Sequence, residues 1–283
     1  FAQNMESLNG NFVNAGISDN AIFFQDDQNG VASYEVPAGS LTHTIYAAAL
    51  WVGGLDINGQ AHVSGATFTP NGWSSGPIAD PMNYNSVSYQ NQYASSLWKV
   101  TRQEVDDHIA QYQQGGYTPV SAISDWPGNG DVSLGVADQL APFVDQDGDG
   151  VYEPLDGDYP DFPGDEVVYV IVNDEANPVL SYLGVEMHMM FYQFNDNGYL
   201  GESTFLNTRV FNRSTIDYFD FRQSIYADFD IGNYQDDYIG CDSSRNIMYA
   251  YNGDAVDETN GGAAGYGNNP PCQGVISLNR DMY

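Results

Sequence analysis

Basic residues are scarce in this chain. Lysine occurs once, at Lys99, and Lys plus Arg number 7 against 38 Asp plus Glu, a formal charge of −31 at pH 7. Such a chain lacks the basic footprint that neutralises phosphates, so nucleic acid is excluded as a partner and anionic membranes repel it. No run of 18 apolar residues occurs, so no membrane insertion is expected. Cysteine is limited to Cys241 and Cys272, with no C-x-x-C spacing and no neighbouring His, which argues against a zinc or redox motif. The four histidines (His43, His62, His108 and His188) form no H-x-x-x-H or H-x-H pair, and structural roles are expected for each. Two carboxylates suffice for glycoside hydrolysis, but among 38 acids candidate pairs arise by chance. Trp51, Trp73, Trp98 and Trp126 read as core or loop anchors rather than sugar-stacking platforms. The residues give no reason to expect an enzyme.

What is present is strand-forming. The chain is 42% hydrophobic and 14% aromatic, enough to bury a core despite its charge. "AIFFQDDQNGVASYEVP" and "HTIYAAALWVGGLDINGQAHVSGATF" read as hairpins around Asn29-Gly30 and Asn58-Gly59. "DEVVYVIVND" suits a strand buried on both faces, and "GVEMHMMFYQFN", "STFLNTRVFNRS" and "YFDFRQSIYADFD" follow as further strands. One short helix is expected near residues 102–113, where Thr101 and Glu104 form a capping box and Val105, Ile109 and Tyr112 share a face. Residues 71–96 and 253–269 read as long surface excursions. The expectation is an all-β, β-sandwich-like fold with long loops, a single domain over 1–283 with a possible sub-boundary near 115–145.

The densest chemistry lies in "DQDGDGVYEPLD", residues 145–156, where five of twelve side chains are carboxylates. Two carboxylates about 4 Å apart repel by roughly 4 kcal/mol at an effective dielectric near 20. Asp145, Asp147, Asp149 and Gly150 match positions 1, 3, 5 and 6 of a D-x-D-x-D-G calcium loop. Val151 falls at position 7, where a backbone carbonyl is used, with Glu153 at 9 and Asp156 at 12. A hard cation taking six to eight oxygens makes such density favourable; the alternative is a solvated acidic turn. Asp at position 12, Pro154 and the lack of a preceding amphipathic helix set the loop apart from an EF-hand, and it compares better with the isolated calcium loops of dockerins and thrombospondin-like repeats. A second cluster, "ADFDIGNYQDDYIGCD", supplies Asp228, Asp230, Asp236, Asp237 and Asp242. It fits no loop template. A structural calcium there competes with simple solvation and capping.

Several segments occur in one order: "SYEVPAGS", "HTIYAAALWVGGLDINGQAHVSG", "LWKVTRQEVDDHI", "APFVDQDGDGVYEPLDGDYP", "GDEVVYVIVND", "DFDIGNYQDDYIGCDSSRNIMYAYNGDAVD" and "YGNNPP". From about residue 31 to 276, this set resembles the N-terminal region of a large group of secreted surface proteins of Bacteroidota. Those proteins usually carry a C-terminal sorting domain for type IX secretion. The resemblance implies an extracellular or cell-surface location, supports the calcium loop and implies no enzymatic activity. Members generally continue for hundreds of residues beyond the position of Tyr283, so a longer parent chain is expected, as is a signal peptide removed ahead of "FAQN". In that oxidising setting Cys241 and Cys272 are expected to form a disulfide, closing a loop of about 31 residues worth roughly 3–4 kcal/mol; two unpaired thiols are the alternative.

Three functions remain open. The first is a calcium-binding structural or adhesive surface protein whose partners are copies of itself or other surface components, assembled as a fibre or layer. A glycan-binding module and a glycoside hydrolase are the alternatives. If chains polymerise, residues 1–24 are a candidate donated strand, against an ordinary first strand folded on its own domain.

Overall fold

The computed structural model describes residues 4–67, 72–176 and 182–279. Two antiparallel sheets face each other. In the first, the order runs Met5–Leu8, Asn14–Ser18, Tyr34–Glu35, His43–Leu55 and Phe219–Phe229, with Ile22–Phe23 and Ala61–Ser64 also paired to His43–Leu55. In the second it runs Leu97–Thr101, Glu166–Asn173, Val185–Gln193 and Phe205–Asn212, with Ser74–Ser75 added beside Glu166–Asn173. The sandwich core lies between them. Ile17, Ile22, Phe23 and Ala49 from one sheet meet Val168, Val170, Met187 and Phe191 from the other.

The chemistry of Glu166–Asn173 follows from its position. All eight residues are buried. Side chains alternate across a strand, so Val168, Val170 and Val172 enter the sandwich core while Val167, Tyr169 and Ile171 enter a second core on the outer face. That second core is closed by a layer of helices and loops contributing Tyr89, Tyr93, Val105, Ile123, Trp126, Tyr152 and Phe162. The continuous apolar run is the cost of serving two cores at once.

The expected helix is present at Arg102–Gln111, with the Thr101–Glu104 capping box formed in both directions. Its inward face differs from the expectation: Val105 and His108 are buried, whereas Ile109 is 43% exposed. His108 reaches the core because its Nδ1 meets the Tyr117 hydroxyl at 2.8 Å. Two further helices were not expected. Val87–Tyr93, capped by Ser86, lies in the stretch that reads as a surface excursion, and it buries Tyr89 and Tyr93. Ser121–Ser124 buries Ile123. The stretch 115–145, where the sequence suggests a sub-boundary, sends Ile123, Trp126, Leu134 and Leu140 into the second core.

Residues 4–24 belong to the chain's own first sheet. Leu8, Val13, Ala15, Ile17, Ile22 and Phe23 are all at most 1% exposed. Here the ordinary first-strand alternative describes the segment, and the donated strand does not; residues 1–3 lie outside the described residues. After the sandwich, Asp237–Asp242, Ile247–Asn252 and Cys272–Ile276 form a small three-stranded sheet. No helix among the described residues is long and apolar enough to cross a membrane.

Candidate metal centre

The loop 145–156 grows from the helix-and-loop layer. At its base Phe143–Val144 pairs with Tyr159–Pro160. Asp158, 1% exposed, then draws the two sides together, accepting from the N–H groups of Gln146 and Glu153, both at 2.8 Å. Tyr152 roots the loop in the second core. Its hydroxyl donates to the Ile123 carbonyl at 2.7 Å, and the Asn129 side chain both donates to its carbonyl and accepts from its N–H. These anchors hold the backbone without using the exposed carboxylates.

Within the loop, Gly148 and Gly150 have φ of 80° and 84°, a left-handed turn that side-chain-bearing residues rarely adopt. Asp145 accepts from the N–H groups of Gly148 and Gly150, Asp147 from Asp149, and Asp149 from Val151. One ligand oxygen from each of Asp145, Asp147 and Asp149 lies within 4.8 Å of the others. Their electrostatics diverge. The Gly150 N–H, more than any other contact, holds Asp145 below the usual carboxylate range. For Asp147, the Asp149 N–H favours the ionised form, but partial desolvation and the charges of Asp149 and Asp145 push its pKa up on balance. Glu153 is raised by desolvation and then by Asp149, Asp156, Asp147 and Asp158. Glu153 and Asp156 therefore share the field of the triad without belonging to its compact set. Val151 follows it with an exposed side chain. Such a set of oxygens suits a calcium ion. Asp158, which organises the loop, was missed in the sequence because nothing in the template reaches beyond position 12.

The second acidic cluster divides. Asp228 is the penultimate residue of Phe219–Phe229, Asp230 follows that strand, Asp236 ends the turn before the small sheet and Asp237 opens it. Burial raises Asp228. Asp230 is pushed up to about 7 by burial, then by Asp228 and Asp237. Asp237 is pushed up to about 6 by burial and by Asp236 and Asp257, against a hydrogen bond from the Ile231 N–H. Asp242 is elsewhere. It ends the Asp237–Asp242 strand, about 17 Å along at the usual rise per residue, where it caps the next turn through Ser244 and pairs with Arg245.

The expected disulfide is not formed. Cys241 and Cys272 are both free and exposed. Cys241 lies opposite Met248 and Cys272 opposite Tyr251, on the two outer strands of the small sheet. Partners three residues apart on the central strand face opposite sides of the sheet, and the strands flanking it are about 9.6 Å apart. A disulfide needs Cα atoms within about 7 Å.

The histidines are tied into the fold. His188 meets the Tyr169 hydroxyl at 2.7 Å and Glu186 at 2.9 Å, and Glu186 also takes Arg213 at 2.8 Å. His62 lies 3.5 Å from Asp56. Burial lowers the pKa of His43. Trp73 and Trp126 are buried and Trp98 packs against the second core. Trp51 is 37% exposed, beside Val63 and Arg222 in a shallow groove. Gly72-Trp73-Ser74-Ser75-Gly76 spells G-x-S-x-G, although no serine was expected in that motif. Ser74–Ser75 is a short edge strand paired to Val172 and Asn173, not the strand-to-helix elbow of a hydrolase.

The architecture is that of an antiparallel β-sandwich with a third, helix-and-loop layer carrying an acidic loop. No protein-family profile, curated protein or solved structure matches the chain.

Proposed function

We propose that the chain is a calcium-stabilised β-sandwich module of an exported surface protein, with a structural or adhesive role rather than a catalytic one. The observation that carries this reading is the convergence of Asp145, Asp147 and Asp149 on a backbone already held by Asp158, Asn129 and Tyr152. Three carboxylates brought this close repel unless a cation joins them. Calcium bound there fastens the outer layer, because Phe143–Val144 and Tyr152 connect the loop to the second core. The resemblance of the ordered segments to secreted Bacteroidota proteins supports export. Copies of itself or other surface components are the proposed partners. A charge of −31 keeps copies apart unless cations or salt screen it.

A glycan-binding role is the second reading, favoured by the exposed face of Trp51 in its groove. The deciding experiment is thermal unfolding in calcium and in EDTA for the native protein and for Asp147→Ala, with size-exclusion chromatography under both conditions. A calcium-dependent gain that the variant lacks supports the reading. Equal responses of the two proteins reject it.

A further inference from the structure

The junction between the sandwich and the small sheet holds acceptor oxygens with nothing to accept from. Oδ1 of Asn233, of Asp237 and of Asn252 is buried without a hydrogen-bond partner. Asn233 and Asn252 are 5% and 7% exposed. Their amide orientations are fixed by their other ends. The Asn233 Nδ2 donates to Asp236 at 3.0 Å, and the Asn252 Nδ2 donates to the carbonyls of Asp254 and Val256, both at 3.3 Å. Turning either amide over would set oxygen against oxygen, so the unpartnered atoms are acceptors.

These residues are neighbours in the fold. Asp237 and Asn252 are direct cross-strand partners, which places their side chains on one face. The turn before Asp237 folds back on it, with the Ile231 N–H donating to its Oδ2 at 2.7 Å. Asn233 sits in that turn, its N–H held by buried Asp257 at 3.2 Å. Asp230 enters from the sandwich side, its N–H bonded to the Thr44 carbonyl. No ion pair among the described residues involves Asp228, Asp230, Asp236, Asp237 or Asp257.

A buried acceptor left unsatisfied costs about 1–3 kcal/mol, and unpaired buried charge costs more. Water can fill the acceptors but offsets no charge. We propose that this junction is a second calcium site, with Asn233, Asp237 and Asn252 giving side-chain oxygens and Asp230 a further carboxylate, so that the ion fastens the small sheet to the sandwich. Mixed carboxylate and carboxamide oxygens drawn from a turn and two strand ends suit calcium better than magnesium, which demands near-octahedral geometry. Three acidic ligand atoms do not converge here as they do at Asp145, Asp147 and Asp149. The site rests on the amide oxygens, and it stands or falls independently of that loop.

The test is calcium titration by calorimetry on the EDTA-stripped full chain, with Asp147→Ala and Asn252→Asp variants. The inference expects the Asp147→Ala protein still to bind calcium, and adding Asp237→Asn to it to abolish that binding while circular dichroism stays native. It also expects Asn252→Asp to lower the melting temperature in EDTA, where it adds repulsion to Asp237, and to raise calcium affinity several-fold. Loss of all calcium binding in Asp147→Ala alone would overturn the inference while leaving the first loop standing. An equal drop in melting temperature for Asn252→Asp with and without calcium would overturn it as well, leaving a water-filled pocket.

Discussion

Replacing Asp147 with Ala separates the contribution of an ion from that of the carboxylates themselves. Without calcium, Asp147 accepts one hydrogen bond, from the Asp149 N–H, yet desolvation and the charges of Asp149 and Asp145 still raise its pKa. The ionised group is thus disfavoured in the folded state, and Asp147→Ala in EDTA should melt at or slightly above the native temperature. Calcium reverses the sign. An ion bound only by the folded chain stabilises it by about 2.7 kcal/mol at a hundredfold excess over Kd. With about 2–4 °C per kcal/mol for a large domain, the loop contributes roughly 5–10 °C that the variant should lack. Differential scanning calorimetry of both proteins in EDTA and in calcium reads this directly. Calcium gains of equal size in the two proteins, including no gain in either, would refute the reasoning. A variant that loses the same amount in both conditions would show that Asp147 acts through its hydrogen bond alone.

Alkylation without reductant should label both Cys241 and Cys272, and the intact mass should show no loss of two hydrogens; an unlabelled, linked peptide would contradict the strand arrangement. Glu186→Gln should destabilise the protein at pH 7 by about 3–5 kcal/mol, because Glu186 is fully buried against His188 and Arg213. Burial opposes ionisation of Glu186, but hydrogen bonds and charges from those partners hold its pKa below the ordinary 4.5. Its stabilisation is therefore complete above that value and is lost as pH falls through the depressed folded value, so urea unfolding of the variant should lose that part of the acid slope. Deleting residues 1–20 removes Leu8, Val13, Ala15 and Ile17 from the core. Each large aliphatic loss costs about 2–5 kcal/mol against a total stability of about 5–15. The truncated chain should show no cooperative unfolding transition. A cooperatively folded truncation would show that the segment is dispensable.

Local signals were read well where local physics dominates. The Thr101–Glu104 capping box, the turns at Asn29-Gly30 and Asn58-Gly59, and the doubly buried "EVVYVIV" strand each depend on neighbours in sequence. The spacing of Asp145, Asp147 and Asp149 likewise sufficed to bring their oxygens together, because the turn at Gly148 and Gly150 is set by a few residues. The Val87–Tyr93 helix was missed because its inward face is two tyrosines among polar residues, and burial of Tyr89 and Tyr93 is supplied by a sheet distant in the chain.

Long-range placement was beyond the sequence. The count of two cysteines suggested a bond, but pairing depends on which strands are neighbours, and Ile247–Asn252 lies between the strands that carry them. Asp242 joined its cluster by proximity in sequence and left it because a strand carries it away from Asp237. Asn233, Asn252 and Asp257 entered because the turn and the register fold them back on Asp237 and Asp236. Sequence by itself determined which segments could turn, pair and concentrate charge, since those depend on contacts within a few residues. Only the tertiary structure decided which of them share a face, because register and sheet order fix distances between residues that the chain itself holds far apart.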